Sequence, residues 1–155
     1  MKNAIVFIAA SAIFTGAWAG NVQIQVLDRD GKPVPDAVVV VYPSATNGAA
    51  PSLLQPNPTI EQERMRFVPA VTVVMPGSTV RFTNQDRWDH HVRGNPTGAA
   101  AAAAPAAASS NFGLRLAGKA DGKSANFADV KLDTPGVVLL GCHLHGSMRG
   151  HVFVT

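Results

Sequence analysis

The run GVVLLGCHLHGSMRGHVFVT, residues 136–155, decides how this chain is read. Successive side chains of a strand alternate between its two faces, so Val138, Leu140 and Cys142 share one face and arrive together at the strand's end. Gly146 and Ser147 lie in the turn that follows, and residues 151–155 resume the alternation as a closing strand, with Val152 turned inward. Cys142 is the only cysteine of 155 residues. A histidine follows three positions later at His145, and a methionine three after that at Met148. A thiolate, an imidazole and a thioether therefore meet within one tight turn.

Those donor types name a metal. Thiolate and thioether are soft ligands that favour copper, and two histidines with one cysteine, completed by a weak axial methionine, make the type 1 copper set. The turn supplies only one of the two histidines, so the other has to come from a neighbouring strand. If Trp88 to Val92 is extended, Trp88, His90 and Val92 point one way and Asp89, His91 and Arg93 the other. A donor to a buried ion belongs on the inward face, which selects His90 over His91. By the same parity His143 leaves on the side opposite Cys142, and His151 points outward.

These residues resemble a family. Cys142, His145, Met148, Arg149, Gly150, Val152 and Val154 are similar to the copper loop of the small cupredoxins, plastocyanin- and amicyanin-like, with the short amicyanin spacing. Upstream, Phe67, Pro69, Val73, Gly77, Val80, Phe82, Asn84, Asp86, His90 and Val92 resemble the segment that carries the family's first histidine. The resemblance covers residues 65–92 and 135–155. It implies one bound copper ion held by His90, Cys142, His145 and Met148, with the ligand at the later of the loop's two histidines. It also implies one-electron transfer by a carrier rather than catalysis by an enzyme. Where the family usually has an asparagine after its first ligand, this chain has His91.

The chain in order supports an all-β reading. Lys2, the apolar stretch Ala4 to Gly16 and the Ala17-Trp18-Ala19 site form a secretory signal, cleaved after Ala19. Its apolar run is shorter than the ~20 residues that a bilayer demands, so no stable membrane anchor is expected. Residues 20–155 then have the length of one domain. Val22, Ile24 and Val26 alternate with polar neighbours as in a strand, residues 28–36 carry turn chemistry, and Val38 to Tyr42 form a second β-branched run. Residues 43–66 read as an irregular loop, with Thr59 and Gln62 spaced like the cap of a helical turn up to Met65. Phe67 to Asn84 reads as two strands about the turn Pro76-Gly77-Ser78, with Val80, Phe82 and Asn84 facing inward. Residues 98–110 are an Ala/Pro-rich low-complexity insertion. Phe112 to Leu116, Asn126 to Leu132 and Gly136 to Gly141 supply further strands. Seven or eight short strands without a long helix imply an antiparallel Greek-key β-sandwich.

Charge and cysteine usage narrow the partners. A net charge of +3 offers no basic stripe for nucleic acid. An exported chain with an unpaired cysteine uses that thiol for reactivity or for a metal. Structural zinc calls for four cysteine or histidine ligands in paired spacing, and only one cysteine is present. The expectation is a periplasmic, monomeric type 1 copper protein serving a redox partner protein. Copper tolerance stands as an alternative, because His91, His143, His151, Met65 and Met75 are the residues from which a second copper site would be drawn. A copper-free exported β-sandwich used for interaction is a third reading.

Overall fold

The computed structural model describes residues 23–41, 54–97 and 111–155. The expected signal segment 1–19, the first part of the irregular loop and the Ala/Pro-rich insertion 98–110 lie outside the described residues. Contacts divide the chain into two units, Met1–Pro35 and Asp36–Thr155.

Among its described residues the second unit holds nine strands: β1 Thr59–Glu63, β2 Arg66–Val68, β3 Val71–Val74, β4 Ser78–Asn84, β5 His90–Thr97, β6 Phe112–Leu116, β7 Asn126–Leu132, β8 Gly136–Cys142 and β9 Arg149–Val154. No helix occurs among the described residues. One sheet has the order β2-β1-β4-β7 and the other β3-β9-β8-β5-β6. Antiparallel pairings predominate, as expected of a Greek-key sandwich. The exceptions are β1 with β4 and β3 with β9, which run parallel.

Alternation determines what each strand buries. On β4, Ser78, Val80, Phe82 and Asn84 are buried while Arg81 is exposed, and on β8 the inward set is Val138, Leu140 and Cys142. Ile60, Phe82 and Leu132 of the first sheet join Val92, Leu140 and Val152 of the second in a single core cluster. Full burial of one such side chain contributes about 1.5–3 kcal/mol. The Phe112 ring lies against that of Phe82, centroids 5.5 Å apart, and covers its cross-strand partner Gly94. A Cβ on Gly94 would run into the Phe112 ring, so a glycine is required there.

Several sequence expectations change. Residues 59–63 form strand β1 rather than a capped helical turn, with Ile60 and Gln62 wholly buried. The alternation was hidden because the second inward residue is polar; the Gln62 side chain donates to the Thr83 carbonyl oxygen at 3.1 Å. Phe67 to Asn84 contains three strands instead of two, since the chain leaves one sheet after Val68 and joins the other at Val71. Trp88 is 45% exposed rather than inward, because the strand begins only at His90. The early strands are also absent over their described parts, 23–26 and 38–41, whose apolar residues stay exposed. In the first unit a turn closes on the bridge between Leu27 and Pro33, with Asp28 Oδ1 accepting from the amides of Asp30 and Lys32. Alternation makes a strand only where a partner ladder receives it, and neither segment has one here.

Asn84 ends β4 and ties the sheets beside the site. It is fully buried, its Nδ2 donates to the carbonyls of Trp88, Leu116 and Ala117, and its Oδ1 accepts from the Asp86 amide. Removing that amide leaves several buried backbone groups without partners, each costing about 1–3 kcal/mol. Asn84→Ala is therefore expected to lower unfolding free energy by at least ~2 kcal/mol in a denaturant titration, whereas Thr79→Ala on the outward face of β4 changes it by less than ~0.5 kcal/mol.

Candidate metal centre

Strand register brings the expected donors together. β5 and β8 are antiparallel neighbours with Val92 opposite Cys142. His90 lies two residues before Val92, so alternation places it on the same inward face and diagonally across from the cysteine. The result is a close triangle. Cys142 Sγ lies 3.6 Å from His90 Nδ1 and 3.5 Å from His145 Nδ1, and the two Nδ1 atoms are 3.1 Å apart. His90 is fully buried, Cys142 is 6% exposed and His145 is half-buried. Met148 is buried in the same loop, and its amide donates to the His145 carbonyl at 3.1 Å, closing the turn.

Three donors with these separations enclose a point about 2 Å from each, which is the length of a metal–imidazole bond. Two imidazole nitrogens and a sulfur converging at such distances repel one another through their lone pairs unless a cation or shared protons lie between them. The softness of the sulfur, with a thioether next in the loop, suits copper. The donors fit that ion.

Asp86 supports the triangle from behind His90. Its Oδ2 accepts from His90 Nε2 at 2.9 Å, which fixes the proton on the far nitrogen and leaves Nδ1 with a lone pair for the centre. Its carboxylate also accepts the amides of Arg64, at 2.6 Å, and Met65, at 3.0 Å. Those two residues form the turn between β1 and β2 with φ of 53° and 56°, a left-handed conformation that neither side chain favours. Burial alone would push the Asp86 carboxyl up. The hydrogen bonds from Met65, His90 and Arg64 outweigh it and hold the group below the ordinary carboxylate value. The available signal was an acid four residues before a histidine, at the end of an apolar strand.

The other candidates lie elsewhere. His143 and His151 are exposed and His91 is half-buried, as parity requires. The rings of His91 and His143 approach to 5.7 Å between centroids, away from the triangle. Met65 and Met75 are 43% and 36% exposed and fill no core gap. The His143 amide donates to the His91 carbonyl at 2.9 Å, extending the β5–β8 ladder by one rung.

No protein-family model and no curated protein sequence matches the chain. Solved structures do. A copper-containing nitrite reductase from Thermus scotoductus matches with a TM-score of 0.50 at 20% identity, over 74% of this chain and 25% of its own. Amicyanin from Paracoccus versutus matches with a TM-score of 0.48 at 19% identity, over 68% of this chain and 85% of its own. The chain thus spans about a quarter of the nitrite reductase chain, and that likeness assigns it a cupredoxin-like fold.

Outer hydrogen bonds to a ligand histidine typically change metal affinity by about 10–100-fold. Asp86→Asn, which keeps the shape and removes the charge, is expected to weaken copper binding within that range in a competition titration against a chelator of known affinity. An affinity equal to that of the parent protein would show that the carboxylate only holds the turn.

Proposed function

We propose that this chain is an exported type 1 copper protein that carries single electrons in the periplasm between partner proteins. The observation that carries the reading is the convergence of Cys142, His90 and His145 on one centre, with Met148 buried in the same loop. When bound, copper would supply a one-electron couple, and His90, Cys142, His145 and Met148 are the residues that would hold it.

The protein's part is to hold those ligands still. His90 is fixed by the buried Asp86, and Cys142 by the β8 ladder. A short turn with an internal hydrogen bond carries His145 and Met148. Donors held in this way rearrange little when the charge at the centre changes. Burial of Cys142 keeps water and oxidants from the sulfur, and half-buried His145 offers electrons a path to the surface. Export rests on the pattern of residues 1–19. Among the described residues no helix is long and apolar enough to cross a membrane. A monomer meeting its redox partner at the His145 end follows from the same reading.

Cu(II) added to the purified protein is expected to give an intense visible thiolate-to-copper band and a narrow-hyperfine paramagnetic resonance signal. Both should vanish in Cys142→Ser, and voltammetry should record a reversible one-electron wave. A colourless, redox-silent copper complex would overturn the reading.

A further inference from the structure

We infer a second, solvent-facing metal site formed by His91 and His143, which would take a divalent transition metal ion of the copper type. It follows from the same pairing that builds the inner centre. His91 succeeds His90 and His143 succeeds Cys142, so alternation sends both to the opposite face of the β5–β8 pair. There they stand directly across from each other, joined by the backbone bond from the His143 amide to the His91 carbonyl.

Their rings lie close together. The centroids are 5.7 Å apart with the planes at 71°, beside 4.8 Å and 66° for His90 and His145 at the inner centre. Two imidazoles on one ion, each bonded at about 2.0–2.1 Å, put their centroids about 5 Å apart, so a small side-chain rotation completes the outer pair. Among the described residues neither ring has a side-chain hydrogen bond or ion pair that a metal would have to displace. Gly113 adjoins the pair. A Cβ there would come to 3.4 Å from His91 Nε2, on the β6 side of the ring.

Two imidazoles with water in the remaining positions favour Cu(II) among divalent first-row ions. The charged neighbours on this face keep the site weak and exchangeable. Arg93 is exposed two residues from His91, and Arg115 is held by the Asp89 carboxylate at 3.1 Å. Arg149 donates to the Met148 carbonyl. An open, weak pair beside a buried, tight one suits capture of copper from solution, a role separate from electron transfer.

The test adds Cu(II) in two equivalents to the full chain, followed by paramagnetic resonance. The first is expected to give the thiolate-bonded signal. The second should give an axial signal of wider hyperfine splitting without a visible band, and it should also appear in Cys142→Ser, which separates this site from the inner one. His91→Gln and His143→Gln should each weaken the second site at least tenfold while the visible band persists and reports intact folding. Zn(II) added to copper-loaded parent protein should shift the ring resonances of His91 and His143. Saturation at one equivalent, a second signal that survives both substitutions, or ring resonances unmoved by Zn(II) would each overturn the assignment.

Discussion

The hydrogen bond between Asp86 and His90 is the constraint on which the centre depends. Asp86 is almost fully buried and His90 wholly so, hence each relies on the other for its polar partner. The carboxylate also receives two amides from the β1–β2 turn, so one side chain joins the hairpin of the first sheet to the first residue of β5 in the second. Removing one partner leaves a buried polar group without its hydrogen bond, at a cost of about 1–3 kcal/mol. The left-handed Arg64 and Met65, each strained by about 1–3 kcal/mol, persist because Asp86 accepts both of their amides. Stability and metal readiness thus share one set of atoms.

A second constraint is parity. Because side chains alternate, the pairs His90/His91 and Cys142/His143 each divide between the two faces of one strand. The register that sets Val92 against Cys142 brings His90 to the sulfur inside and His91 to His143 outside. A slip of one residue would exchange the faces and dismantle both arrangements together. The core residues Val138, Leu140 and Val92 oppose that slip, since it would expose them.

The site also combines protection with access. His90 and Met148 are sealed by the core and Cys142 nearly so, while His145 stands at the loop end, half open to solvent. Packing excludes water from the sulfur, and one imidazole edge still reaches the surface.

The sequence by itself determined the inward face of β4 and β8, the convergence of Cys142 with His145 in the turn and the choice of His90 over His91. Those follow from a period of two and from donor softness, which are local properties. It did not determine β1, because Gln62 conceals the alternation and its strand depends on β4 and β2 for partners. Residues 23–26 and 38–41 show the converse, a strand-like pattern with no ladder to receive it. Asp86 offered only a faint local signal, an acid four residues before a histidine, and nothing local indicates that its carboxylate also meets a turn 22 residues away. Only the tertiary structure decided that, because burial removes water and leaves the carboxylate to those partners.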